Sequence, residues 1–198
     1  MCRNDRIKSD FFPKFSKLLL DIGIKNGMVQ LQGLITEKNI YVMDIAYRLS
    51  GGMDYRPVAC ENGINIVENH LEYALCGEWN GDFMKCDKPF EHCYITICIG
   101  LKNGHIQKIE GLDEVKKLPY VYDLFQYYNE GDVMSASGRF QQTFYRIFIR
   151  EYDKDSAFSK INDVMNMIEV YDENDVSMML DYIIYKASTN EFFLMSNN

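Results

Sequence analysis

The side chains best suited to chemistry lie on two neighbouring segments of strand character, 28–36 and 40–48, separated by the tripeptide 37–39. A three-residue hairpin loop centred on Lys38 would place Gln32 opposite Asp44, and position 30 opposite position 46. Because strand side chains alternate, one face then carries Gln30, Gln32, Asp44, Ala46 and Arg48. The other, packed face carries Val29, Leu31, Ile35, Met43 and Ile45. A two-residue loop would separate Gln32 from Asp44, so the pair depends on this register.

An amide oxygen facing a carboxylate suits a hard cation such as Mg²⁺, which takes one or two protein oxygens and completes its shell with phosphates and water. Arg48 lies on the same face and could hold a phosphoryl oxygen by a charge-assisted hydrogen bond. Gly51 and Gly52 follow directly and could offer backbone N–H groups to an anion. The alternative is an ordinary solvated sheet face, which also carries Gln, Asp and Arg.

The elements around this hairpin indicate two domains. Apolar residues at helical spacing predict a helix over 11–24 and a second over 62–77, with Asn62 as its N-cap and Gly77 as its stop. The polar segment 77–89 contains Gly and Pro and is the only shift in composition along the chain. We therefore expect a first domain over 1–85 and a second over 86–198.

The second domain is predicted to be rich in strands. An Asn-Gly turn at 102–104 between apolar runs predicts a hairpin of strands 93–101 and 105–109. Aromatic-rich segments predict strands over 121–128 and 140–150, and a helical apolar face begins after Asp153. The fold class that follows is α+β, an antiparallel sheet with packed helices.

Composition excludes several classes of protein. The chain has 198 residues, 21 basic and 29 acidic side chains and a formal charge of -8, with no basic cluster that would suit nucleic acid or an anionic membrane. No apolar run is long enough to span a bilayer, and we expect no signal peptide, because the first residues are charged and lack an apolar segment. The six cysteines lack metal-type or redox-type pairs, which favours free thiols. We expect a cytoplasmic protein.

The run DIAYRLSGG at 44–52, preceded by VQLQ at 29–32 and followed by NGIN at 62–65, resembles the distal half of an ATP-grasp domain. That superfamily includes biotin carboxylase, carbamoyl phosphate synthetase and the carboxylate–amine ligases. Segments 104–106, 109–115, 119–121 and 131–133 and the helix after Asp153 follow the order of the β-rich C-terminal subdomain of biotin carboxylase-like members. The resemblance covers about residues 11–170.

The resemblance implies ATP and Mg²⁺ as cofactors. It makes Gln32 and Asp44 the magnesium ligands, Arg48 the catalytic, phosphate-binding arginine, and Gly51 and Gly52 part of the nucleotide site. The sequence departs from the family pattern at Ala46, where an asparagine ligand is usual, and at Asp44, where Glu is usual.

By the same resemblance, the chain is the C-terminal portion of an ATP-dependent carboxylate–amine or carboxylate–thiol ligase that acts through an acyl phosphate. Its expected partners are a small carboxylate substrate and the missing N-terminal lobe, from the same chain or a split gene. The alternative is a non-catalytic binding or assembly module, which Ala46 favours. Apolar surface left uncovered by the missing lobe could also drive self-association into a homo-oligomer.

Overall fold

The structure is a computed structural model that describes residues 7–79, 90–136, 141–180, 182–186 and 191–195. The chain divides into two compact units, Met1–Pro89 and Phe90–Asn198. The domain boundary expected after residue 85 falls within 80–89, outside the described residues. The mixture of helices and antiparallel strands confirms the α+β fold class.

In its described residues, 7–79, the first unit contains a two-stranded hairpin, a π-helical turn and three α-helices. A π-helical turn, Ile7–Phe11, leads into α1, Phe12–Asp21, which confirms the first predicted helix. The hairpin consists of β1, Gln30–Ile35, and β2, Ile40–Ala46. Two helices follow, α2, Tyr55–Asn62, and α3, Ile66–Cys76.

The second predicted helix, 62–77, is wrong at its start. Gly63 adopts a left-handed φ of 69° and ends α2, so Asn62 is the last residue of one helix and not the cap of the next. Asn65 caps α3 instead, because its side chain accepts a hydrogen bond from the Glu68 N–H at 3.2 Å. The stop at Gly77 is confirmed, with a φ of 75°.

Among the described residues, the second unit is built around a three-stranded antiparallel sheet. Its strands are β3, Cys93–Gly100, β6, Val121–Gln126, and β8, Thr143–Glu151, which confirms the strands predicted around 121–128 and 140–150. Their spatial order is β3-β8-β6. The central strand β8 is buried from Thr143 to Ile149, so both of its faces are covered. This strand is the middle of the core.

The other described elements surround this sheet in the sequence of the second unit. They are β4, Gly104–His105, β5, Lys108–Glu110, α4, Leu112–Val115, β7, Val133–Met134, α5, Lys154–Met165, β9, Glu169–Tyr171, β10, Tyr182–Lys186, and β11, Glu191–Met195. The predicted helix after Asp153 is confirmed, and the Asp153 side chain caps it by accepting a hydrogen bond from the Ser156 N–H at 2.8 Å. Strands β4 and β7, β5 and β9, and β10 and β11 form separate antiparallel pairs.

The hairpin predicted around 102–104 is wrong. Strand β3 pairs with β8, and β4 pairs with β7. The backbone around the Asn-Gly sequence binds distant segments: the Leu101 N–H donates to the Gln142 carbonyl, and the Lys102 N–H donates to the Met178 carbonyl at 2.7 Å. Long-range pairing therefore replaces the local turn.

Candidate functional site

The hairpin brings Gln32 and Asp44 together as cross-strand partners, and Gln30 lies opposite Ala46. The predicted pairing is confirmed, but the predicted loop is not. Ile35 pairs with Ile40, so four residues, 36–39, form the loop, and the Thr36 N–H donates to the Asn39 carbonyl at 2.9 Å.

A β-bulge restores the pairing that this longer loop would have lost. The register from the loop end would place Gln32 opposite Met43, but the shift between Gln32 and Gly33 adds Met43 as an extra residue on β2. Beyond the bulge, Gln32 faces Asp44. The bulge therefore sets the geometry of the candidate site.

The apolar face of the hairpin is not packed as the sequence predicts. Ile35, Met43 and Ile45 are 41%, 69% and 46% exposed. Gln32 and Asp44 on the polar face are exposed as well. Within the described residues, the hairpin is thus open to solvent on both faces.

Oxygen donors are available where a cation is predicted. Gln32 and Asp44 carry an amide and a carboxylate oxygen on facing positions. The Oε1 atom of Gln30 is buried and makes no hydrogen bond within the described part of the chain. No group of three or more His, Cys, Asp or Glu side chains suited to a metal ion is present among those residues. From the described residues of the hairpin, a cation would find amide oxygens and the carboxylate of Asp44.

Arg48 lies just beyond the end of β2 and is exposed. Its Nη1 donates to the carbonyl oxygen of its neighbour Leu49 at 2.9 Å, which turns part of the guanidinium towards its own backbone. Donors on the other guanidinium nitrogens could still bind a phosphoryl oxygen. The role of Arg48 stays a prediction.

Tyr47 holds the end of the hairpin against two other segments. Its hydroxyl donates to the Asn26 carbonyl at 2.6 Å, and its ring lies against Gly27, whose φ is 112°. Burial of the hydroxyl and the neighbouring Tyr73 hydroxyl on α3 raise the pKa of Tyr47 above its usual value. Tyr73 in turn stacks on Trp79, with ring centroids 5.1 Å apart. Sequence patterns did not reveal this contact.

The glycine loop after Arg48 is closed by its own hydrogen bonds. The Gly52 N–H donates to Ser50 Oγ at 3.1 Å, and the Ser50 hydroxyl donates to an Asp54 carboxylate oxygen at 2.6 Å. An anion that used the Gly52 N–H would have to displace Ser50. The role of Gly51 and Gly52 in binding a nucleotide therefore stays a prediction. Asp54 borders this loop through Ser50, and no sequence pattern predicted it there.

The second unit contains a polar cavity of about 440 Å³ near α4. At its edge the Tyr145 hydroxyl donates to Gln126 Oε1 at 2.6 Å. Burial raises the pKa of Tyr145, the nearby Lys116 ammonium opposes that shift, and Asp113 adds to it.

Of the helices that the structure describes, none has the length and apolar character that a bilayer crossing requires.

Comparison with protein-family models and with curated proteins found no match. Solved structures do match. An L-amino acid ligase from Bacillus licheniformis aligns over 88% of this chain and 45% of its own, with 19% identity and a TM-score of 0.69. A phosphoribosylglycinamide synthetase from Anaerococcus prevotii aligns over 87% and 44%, with 15% identity and a TM-score of 0.71.

A third match is the biotin carboxylase domain of 2-oxoglutarate carboxylase from Hydrogenobacter thermophilus, solved with MgADP, ADP and bicarbonate. It aligns over 85% of this chain and 37% of its own, with 11% identity and a TM-score of 0.65. All three are ATP-grasp enzymes. The chain has a partial ATP-grasp fold.

The partial ATP-grasp fold confirms the resemblance seen in the sequence. The chain spans less than half the length of each of these three solved chains. At identities of 11% to 19%, the match establishes the fold. Activity, substrate and ligands of this chain are taken up below as proposals.

Proposed function

We propose that this chain supplies the phosphate-binding wall for Mg-ATP in an ATP-dependent carboxylate–amine or carboxylate–thiol ligase. The observation that carries the proposal is the pairing of Gln32 with Asp44 on a partial ATP-grasp fold, with Arg48 two residues beyond the end of β2. Fold alone does not assign a reaction, and these side chains are what favour phosphate chemistry.

The donor set fits a magnesium ion that also binds phosphates. Mg²⁺ commonly takes one or two protein oxygens, and Gln32 and Asp44 supply two on facing positions. Ala46 offers no ligand, but its cross-strand partner Gln30 has an amide oxygen without a hydrogen bond in the described structure. When bound, the ion would neutralise charge on the terminal phosphates of ATP.

Arg48 would bind the transferred phosphoryl group and the acyl phosphate that results. A carboxylate oxygen of the substrate attacks the γ-phosphorus of ATP, and ADP leaves with the electrons of the broken P–O bond. The amine or thiol then attacks the acyl carbon, and inorganic phosphate leaves. The fixed charge of Arg48 stabilises both phosphate species.

The remaining wall of the nucleotide site would come from an N-terminal ATP-grasp lobe, in the same chain or from a split gene. The first unit has exposed apolar side chains that such a lobe could cover, among them Leu20, Leu34, Tyr41, Met43 and Leu75 at 59%, 59%, 52%, 69% and 85% exposure. A nucleotide held by one wall buries little surface, so this chain alone should bind Mg-ATP weakly. Micromolar affinity in a calorimetric titration of the chain alone would contradict this expectation.

A non-catalytic binding or assembly module is the second candidate. Ala46 favours it, because the usual third ligand is absent and Asp44 has a shorter side chain than the usual Glu. In that case the hairpin would keep its fold without holding a metal ion.

Two measurements separate these candidates. In the chain itself, Mn²⁺ used as a probe should broaden the NMR signals of residues around Gln32 and Asp44. Asp44→Asn should abolish this broadening. Glu78→Gln, which also removes one exposed negative charge, should leave the broadening unchanged. In the protein joined to its first lobe, Asp44→Ala should reduce ADP release, and unchanged turnover would remove Asp44 from the mechanism. The absence of Mn²⁺ broadening around Gln32 and Asp44 would favour the non-catalytic module, and broadening that Asp44→Asn leaves intact would show that Asp44 is not a metal ligand.

A further inference from the structure

Asp54 stands where helix α2 begins, at a position that usually caps a helix, yet its side chain makes no capping hydrogen bond. The reason lies in the next residues. The Arg56 N–H donates to the Met53 carbonyl at 2.9 Å, and Pro57 has no N–H to offer. With neither of these donors available, the Asp54 carboxylate turns back and accepts the Ser50 hydroxyl at 2.6 Å.

This turn brings a negative charge against the glycine loop. A Cβ atom added to Gly52 would lie 3.2 Å and 3.3 Å from the two carboxylate oxygens of Asp54, and 3.3 Å from Ser50 Oγ. Ser50 bridges Gly52 and Asp54, because its oxygen accepts a hydrogen bond from the Gly52 N–H and its hydroxyl donates a hydrogen bond to the Asp54 carboxylate. The loop next to Arg48 therefore has an acidic side chain at the place where, under the proposed function, a phosphate would approach.

We propose that Asp54 makes this loop selective for phosphates that arrive with a divalent cation. The inference rests on the proposed function, because it concerns the same phosphate-binding wall. A free polyphosphate meets the Asp54 carboxylate as a like charge and is repelled. A polyphosphate that carries Mg²⁺ has much of its charge neutralised and escapes most of that repulsion. Asp54 is thus a specificity-determining residue and not a catalytic one.

Inorganic tripolyphosphate is the probe that tests this role, titrated into the full chain with and without Mg²⁺ and followed by ³¹P NMR. Asp54→Asn removes the charge and retains an oxygen that can accept the Ser50 hydroxyl. Glu78→Gln is the matched control, because it removes one exposed charge from the same unit at a residue outside the segment 48–54. Circular dichroism confirms that each variant is folded.

We expect Asp54→Asn to tighten binding of free tripolyphosphate by about tenfold, the effect of removing one like charge a few ångströms away at a solvated surface. Binding of Mg-tripolyphosphate should change less than twofold, and Glu78→Gln should change neither. Ser50→Ala, which releases the carboxylate, should tighten binding of the free form by a smaller factor.

Equal affinities of the wild-type chain and Asp54→Asn for free tripolyphosphate would overturn the inference, and so would the absence of measurable binding to Asp54→Asn. The Mn²⁺ titration at Gln32 and Asp44 and the ADP-release assay do not involve Asp54. The inference can therefore fail while the proposed function stands, and the two failures are distinguishable.

Discussion

The contact between Tyr47 and Gly27 predicts different outcomes for two substitutions of the same type in one loop. Gly23 and Gly27 both have left-handed φ angles, of 88° and 112°. A Cβ atom on Gly23 would meet no atom within 4 Å, whereas one on Gly27 would overlap the Tyr47 ring, at 2.5 Å from Cε2. Gly23→Ala therefore tests the backbone cost alone, and Gly27→Ala adds the loss of the ring contact.

The magnitudes follow from these two contributions. Alanine in the left-handed region costs about 1 kcal/mol at either position. Gly27→Ala must also move the Tyr47 side chain, which breaks the hydrogen bond to the Asn26 carbonyl and adds about 1 kcal/mol, plus some loss of packing. We expect losses in the free energy of unfolding of about 1 kcal/mol for Gly23→Ala and about 2 to 3 kcal/mol for Gly27→Ala.

Trp79 is the only tryptophan in the sequence, so its fluorescence reports on the first unit during urea unfolding. It stacks on Tyr73, whose hydroxyl adjoins that of Tyr47, so Gly27→Ala should also change the emission of the folded protein. Gly23→Ala should leave that emission unchanged. Equal losses of stability in the two variants, with identical folded emission, would refute the argument that Tyr47 anchors the end of the hairpin.

Two further predictions concern the second unit. Gly111→Ala should lower the free energy of unfolding by more than about 3 kcal/mol in urea unfolding followed by circular dichroism, because φ is 81° and a Cβ would overlap the Met167 carbonyl group. Gly131 has a φ of 90° and a Cβ there would meet no atom within 4 Å, so Gly131→Ala should cost only about 1 kcal/mol. Similar losses in the two variants would contradict the steric explanation. Burial raises the folded-state pKa of Tyr145, so its contribution to stability is complete below the pKa of an unfolded tyrosine, about 10, and is lost as the pH rises through the higher folded value. The free energy of unfolding of Tyr145→Phe should therefore fall less steeply at alkaline pH than that of the wild-type chain. Equal slopes for the two proteins at alkaline pH would rule this out.

Sequence reasoning predicts the Gln32–Asp44 pairing correctly but for an incomplete reason. Residue types and alternation identify the strands, whereas the loop contains one residue more than predicted. The bulge at Met43 compensates, and its position depends on backbone pairing that has no signature in the local sequence. The pairing is right because two deviations cancel.

Other errors arise where distant segments compete with local preference. The Asn-Gly turn at 102–104 favours a hairpin, yet Lys102 binds the Met178 carbonyl, far along the chain. Asp54 escapes detection for a related reason: its role follows from the hydrogen bonds of Ser50 and Arg56, and neither residue type nor spacing reveals them. Helical spacing and turn residues are local signals, so they do not predict which distant segments of the chain pair with each other.

The two units differ in how many buried apolar side chains stabilise them, and the candidate site lies in the unit that has fewer. In the described structure the buried apolar side chains lie almost entirely in the second unit, and the first contributes only Ile64 and Ile66, which are 6% and 7% exposed. A two-stranded hairpin without a packed face is marginally stable in water. The positions of Gln32, Asp44 and Arg48 should therefore sharpen when further structure covers the apolar side chains of β1 and β2. Under the proposed function, that covering lobe also brings the second wall of the nucleotide site, so completion of the fold and binding of ATP should be coupled.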